Sequence, residues 1–123
     1  MDVLGVPQTA PDFDVPPDAC DCHVHVFGPP DRFPFAEDRV YTPGRATVDN
    51  LLSLQSALHL RRVVIVQATP YGADNACLLD ALRRLGGRGR GVVVITAATA
   101  GASLGQMHEF GVRGVRVNLE TRG

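Results

Sequence analysis

The chain has 123 residues, enough for one domain with a hydrophobic core. Its 12 basic residues, all Arg, nearly balance 13 acidic ones to a net charge of −1, so neither a basic surface for nucleic acid nor an acidic tail is visible. No apolar run approaches the ~20 residues of a membrane span, the N-terminus lacks the pattern of a signal peptide, and three cysteines suit reduced thiols in a cytoplasmic protein better than a disulfide framework.

Residues 1–18 hold four prolines and read as an irregular arm; 19–123 read as one α/β domain. A strand is expected over Ala19–Phe27, ended by Gly28-Pro29-Pro30. Strand side chains alternate, which puts Asp21, His23 and His25 on one face. Cys20, Cys22, Val24 and Val26 take the other, against helices. Pro29–Ala46 is a long loop of the kind that is functional or disordered. Thr47 caps a helix over Val48–Leu58, and a β-branched strand follows over Arg62–Thr69. Asp74 caps a second helix with an apolar stripe of Leu78, Leu82 and Leu85, closed by Gly86. The Arg/Gly run over 86–91 reads as a connecting loop, not an RNA-binding tract. A strand over Gly91–Ala97, a helix over Ser103–Phe110 ending at Gly111, and a strand over Gly114–Leu119 complete the order. In the last strand Val115, Val117 and Leu119 face helices, and Gly114, Arg116 and Asn118 face the other way.

Strand alternating with helix, and near-continuous apolar strands, predict a parallel sheet with helices outside. The polar strand residues His23, His25, Gln67, Thr69, Thr96, Arg116 and Asn118 gather toward the C-terminal strand ends. That is where parallel α/β folds place their sites. Two imidazoles in register inside an apolar run cost free energy unless they bind something, and imidazole is the commonest metal ligand as well as an acid or base near neutral pH. A zinc finger built from Cys20, Cys22, His23 and His25 is excluded, because alternation sends the pairs to opposite faces and no second Cys/His cluster completes either. Arg116 has two readings: an anion or substrate contact, or an ion pair with Asp21 or Glu120. No Walker A loop, G-x-G-x-x-G turn or G-x-S-x-G elbow is present.

Four segments in order carry a family resemblance: Asp21-Cys22-His23-Val24-His25-Val26-Phe27-Gly28-Pro29, Phe33-Pro34-Phe35 with Tyr41-Thr42-Pro43, Val66 through Asn75, and Gly111 through Leu119. Together they resemble the amidohydrolase superfamily, and within it the amidohydrolase-related branch (amidohydrolase family 2) that includes 2-pyrone-4,6-dicarboxylate lactonases. The resemblance implies the N-terminal half of a (β/α)8 TIM barrel, since a complete barrel takes ~250 residues. It implies that His23 and His25 are catalytic and hold a divalent metal, zinc or manganese. In the lactonase form the pair contacts the lactone carbonyl and the metal is dispensable. It implies that Tyr41, Thr69, Arg116 and, less securely, Arg122 bind a small carboxylated substrate. Val117 and Leu119 depart from the phenylalanines those lactonases favour, which bears on the substrate more than on the fold. The family's water-activating aspartate lies on a later strand.

The implied function is a hydrolase attacking a lactone or related carboxylated cyclic ester with activated water, as an intact barrel. The alternatives are a metal-dependent decarboxylase of the same branch, and an inactive half barrel that self-associates through its open sheet edges. A half barrel is further expected to place Gln67 on the inner face with the histidines and Arg116. It is also expected to leave Val63, Ile65 and Val94 partly solvated.

Overall fold

The computed structural model describes residues 9–119. Four parallel strands, β1 (Cys20–Val24), β2 (Arg62–Val66), β3 (Gly89–Val93) and β4 (Val112–Val115), lie in the order β1-β2-β3-β4. Helices α1 (Val48–Leu58), α2 (Ala76–Leu85) and α3 (Gly101–Phe110) connect them. This is the architecture of half a (β/α)8 barrel. Residues 9–19 contain no helix or strand before β1. No helix among the described residues is long and apolar enough to cross a membrane.

One core cluster joins all three helices to the sheet. It includes Val48 and Leu51 from α1, Leu78, Leu82 and Leu85 from α2, Met107 from α3, and Val63, Ile65, Val93 and Val112 from the strands. Gly91 shows how tightly α2 lies on β3: a Cβ there would stand 2.8 Å from Leu82 and 3.0 Å from Leu78. The helix-side face therefore holds Val63 and Ile65 of β2 and Gly89, Gly91 and Val93 of β3. The inner face holds Val64 beside Arg90, and Val66, Val92 and Gly114 in a row across β2, β3 and β4.

This phasing corrects two expectations. Val63 and Ile65 are buried against the helices and are not left solvated. Gln67 follows them onto the helix side instead of joining the histidines. It is 2% exposed, and its amide nitrogen donates to the carbonyls of Gly72 (3.1 Å) and Asp74 (2.8 Å), folding the β2–α2 loop around itself. In β2 the faces are exchanged relative to the expected alternation, as a shift of a single residue does.

β1 is not a plain alternating strand. Asp21 is in register with Val63 and Val24 with Ile65, so β1 spends three steps where β2 spends two. This bulge removes Asp21 from strict alternation with His23, and the Asp21 carboxylate accepts the His23 backbone N–H at 3.4 Å. Cys22, expected against helices, is exposed, and Cys20 is half-buried.

Helix boundaries follow local chemistry. Thr47 caps α1 with a capping box: its hydroxyl accepts the Asn50 N–H, and the Asn50 side chain accepts the Thr47 N–H. α2 begins after Asn75, not Asp74. The Asn75 amide is committed to β3, donating to Val94 O at 2.8 Å and accepting from Val94 N at 3.2 Å, while the Asp74 carboxylate accepts the Ala76 N–H. β2 stops at Val66, three residues early, because Thr69–Tyr71 winds into a 3-10 turn with Pro70 inside it. β3 and β4 each start two residues early. Gly111, at φ 108°, makes the left-handed turn that delivers Val112 directly onto Gly91.

Candidate active site

The C-terminal end of β2 is where the predicted residues meet. Just past β1, His25 Nδ1 lies 2.8 Å from the Val66 carbonyl. A carbonyl only accepts, so Nδ1 carries a proton, and in the neutral ring Nε2 is the free lone pair. His23 stands beside it, with ring centroids 5.2 Å apart in an edge-on arrangement. From the other side of the sheet, beyond β4, Arg116 donates from Nη1 to the Gln67 carbonyl at 2.9 Å. Asn118 donates to the Thr69 hydroxyl at 3.0 Å. Side chains from just beyond both outer strands thus grip consecutive carbonyls, Val66 and Gln67, at the end of β2.

A cavity of about 270 Å³ opens at this end, lined by Thr69, Thr96, Arg116 and Asn118 among others. His23 and His25 are not in its lining; His25 and Arg116 are linked to it through the adjacent Val66 and Gln67 carbonyls. Arg116 has no carboxylate partner among the described residues: the ion pairs there are Arg32–Asp80, Arg83–Asp80 and Arg84–Asp49. Its expected alternative partner Asp21 is not paired with it, and Glu120 lies outside the described residues, as does Arg122. Tyr41 is 47% exposed on the long loop and makes no hydrogen bond among the described residues.

Sequence reading missed what holds that loop. Phe27 pairs with Ala46 as an isolated antiparallel bridge, which pins both ends. Ala36 N–H donates to Pro70 O at 2.8 Å. Tyr71 stacks on Phe35 at 5.0 Å and tilts against Phe27 at 6.0 Å. Its hydroxyl accepts the buried Gly28 N–H at 3.2 Å. Burial first, then contact with Cys77, pushes the Tyr71 phenol far above its ordinary pKa. Phe27 in turn touches the His25 ring at 6.2 Å, so the aromatic cluster runs from the loop to the site. The sequence signal was the Pro70-Tyr71-Gly72 turn facing two loop phenylalanines.

Two imidazoles, one already oriented by a backbone carbonyl, have the chemistry of metal ligands with an outer-shell partner. No third His, Cys, Asp or Glu clusters with them among the described residues. They fit a divalent ion as part of a ligand set, which ordinarily numbers at least three protein groups in a catalytic zinc site.

A parallel β/α sheet with imidazoles, a guanidinium and hydroxyls at its C-terminal ends is the scaffold of barrel enzymes that act on small molecules. The amidohydrolase family profile matches residues 20–123, and the chain belongs to that family. A 2-pyrone-4,6-dicarboxylate hydrolase of Comamonas testosteroni is 46% identical over 112 residues, covering 91% of this chain and 37% of that protein. A 4-sulfomuconolactone hydrolase of Rhizobium radiobacter is 36% identical across 94% of this chain and 41% of its own length. Among solved structures, an apo protein of Agrobacterium tumefaciens superposes with a TM-score of 0.78 at 26% identity, covering 92% of this chain and 43% of its own. A probable 2-pyrone-4,6-dicarboxylic acid hydrolase of Acinetobacter baumannii, solved with citric acid bound, gives 0.76 at 29% identity, covering 83% and 38%. The chain spans about two fifths of the length of the curated relatives it matches.

Proposed function

We propose that this chain supplies the first half of the active site of a lactone hydrolase acting on a carboxylated cyclic ester. The observation that carries the reading is the convergence of His25 and Arg116 on the Val66 and Gln67 carbonyls, beside a cavity bearing Thr69 and Asn118. Arg116 spends one N–H on Gln67 and keeps others for a substrate carboxylate, a role suited to a cation that does not deprotonate. Thr69 and Thr96 add hydroxyls to the same wall. Citric acid in the Acinetobacter relative and dicarboxylate or sulfonate in the names of the others support an anionic substrate.

His23 and His25 would face the lactone carbonyl. A zinc or manganese ion held by the pair would polarise that carbonyl. Neutral His25 offers only a lone pair at Nε2, which suits an ion; donating to the carbonyl itself requires the doubly protonated ring. Water adds to the carbonyl carbon, its proton passes to a general base, and the ring C–O bond breaks to leave a carboxylic acid and a hydroxyl. The family resemblance places that base, an aspartate, on a later strand. Tyr41 would join the substrate carboxylate by movement of the long loop, and Arg122 would provide a second cation.

The test is an NMR titration of the chain with 2-pyrone-4,6-dicarboxylate. Saturable shifts at Thr69, Thr96, Arg116 and Asn118 that Arg116→Gln abolishes are expected. Shifts confined to the opposite pole of the sheet, or unchanged in Arg116→Gln, would reject the assignment.

A further inference from the structure

We propose that Asn118 is a specificity-determining positioning residue. By donating to Thr69 it makes the Thr69 hydroxyl a donor to ligand. The cavity then takes a group that only accepts, a fully ionised carboxylate or sulfonate, and rejects the neutral carboxamide of the same shape. The inference rests on the reading of this cavity as the acid-binding part of a lactone-hydrolysing site, and it names the residue that sets the choice of acid.

A hydroxyl has one proton to give and lone pairs with which to accept. Asn118 Nδ2 donates to Thr69 Oγ1 at 3.0 Å. With an N–H aimed at that oxygen, the hydroxyl hydrogen cannot lie along the same line, and rotation about the Cβ–Oγ bond carries it elsewhere. Thr69 lines the cavity, which leaves that hydrogen for a ligand acceptor.

Thr96, on the same wall, is set in the same sense by the backbone. Its hydroxyl oxygen accepts the Ala98 N–H at 3.2 Å, and the turn is closed by the Thr99 hydroxyl accepting the Thr96 N–H at 3.0 Å. Arg116, with Nη1 on the Gln67 carbonyl, adds a group that only donates.

The carbonyl acceptors of the wall are already engaged. Gln67 O takes Arg116, Gly72 O takes Gln67 Nε2 at 3.1 Å, Val94 O takes Asn75 Nδ2 at 2.8 Å, and Thr96 O takes the Thr99 N–H at 3.0 Å. A carboxylate or sulfonate brings only acceptors and matches such a wall. A carboxamide brings N–H groups that meet donors, and a desolvated donor without a partner is costly. A site built from hydrogen-bonding groups rejects a mismatched analogue more strongly than shape alone can.

Asn118→Asp keeps the shape and exchanges the donor for an acceptor. The Thr69 hydroxyl then gives its proton to the new carboxylate and offers lone pairs to the cavity. The test is a set of NMR titrations of the 123-residue chain with 2-pyrone-4,6-dicarboxylate and with the analogue carrying carboxamides in place of both carboxylates. Wild type should bind the dicarboxylate at least about tenfold more tightly than the diamide, and Asn118→Asp should shrink that ratio by at least about tenfold. Part of the change is charge repulsion, which persists in Thr69→Val. In a Thr69→Val background Asn118→Asp should therefore change the ratio less, by about threefold or more. Equal changes with and without the Thr69 hydroxyl would overturn the proposal, as would a wild type that does not discriminate. If Asn118→Asp does not fold, Asn118→Leu withdraws the donor without adding charge; it should weaken dicarboxylate binding in wild type and leave Thr69→Val unaffected, and an equal loss in both would overturn the proposal. Arg116→Gln separates the two readings. Dicarboxylate binding that needs Arg116 but shows no coupling between Asn118 and Thr69 refutes this inference alone, whereas binding indifferent to Arg116 refutes the function on which it rests.

Discussion

Tyr71 gives the sharpest test of how the long loop is held against the domain. Tyr71→Phe keeps the ring and deletes the hydroxyl that accepts the Gly28 N–H at 3.2 Å. Both groups are buried, Tyr71 at 4% exposure, so the amide loses its partner without gaining water. An orphaned buried donor costs about 1–3 kcal/mol. Tyr71→Leu also removes the ring contacts to Phe35 at 5.0 Å and Phe27 at 6.0 Å, each worth about 0.5–1.5 kcal/mol beyond area burial. The Leu variant should therefore lose roughly 2–6 kcal/mol, a large share of the 5–15 typical of a domain. Urea unfolding at fixed protein concentration reads both losses as shifts in midpoint at constant slope. Amide exchange across residues 29–46 should rise in both variants, because the loop loses its anchor. A Phe variant within about 0.5 kcal/mol of wild type, or a Leu variant no worse than Phe, would refute the anchoring role.

Alkaline stability and catalytic insufficiency can be checked alongside. Burial raises the Cys77 thiol above its ordinary 9.0. The native state then holds its proton where the unfolded chain loses it, so this contribution is intact below about pH 9 and falls away as pH rises toward the raised value. Stability should decline above pH 9, and Cys77→Ala should flatten the decline; an equal slope in the variant would contradict this. The 123-residue chain alone should hydrolyse neither simple nor dicarboxylated lactones above background, with or without Zn²⁺ or Mn²⁺, since no third acidic or ligating group joins His23 and His25 among the described residues. Metal-dependent turnover lost in His23→Ala would show that reasoning to be wrong.

The elements most legible in sequence were those set by local chemistry. α1 runs over the expected Val48–Leu58 because Thr47 and Asn50 cap it without help from elsewhere. The strand order and the gathering of His25, Thr69, Arg116 and Asn118 at one end followed from apolar runs with polar termini. The misplaced features depended on distant partners. Gln67 looked like an inner-face residue until the phase of β2 was fixed by Val63 and Ile65 packing under α2. The bulge between Asp21 and Val24 exists only in the pairing of β1 with β2. Asn75 was drawn from capping α2 into bridging β3. The burial of Tyr71 depends in the same way on Phe27 and Phe35, which are distant in sequence.

His25 and Arg116, held at the end of β2, are proposed as half of a lactone-hydrolysing site. The most direct measurement of that role is kcat/KM for 2-pyrone-4,6-dicarboxylate in a chimaera, with this chain replacing the matching part of the Comamonas relative. A folded chimaera should turn the lactone over, and His25→Ala or Arg116→Ala within it should each lower kcat/KM by at least about a hundredfold, the scale of a misplaced substrate. A folded chimaera without turnover, or one whose activity survives loss of Arg116, would contradict the account.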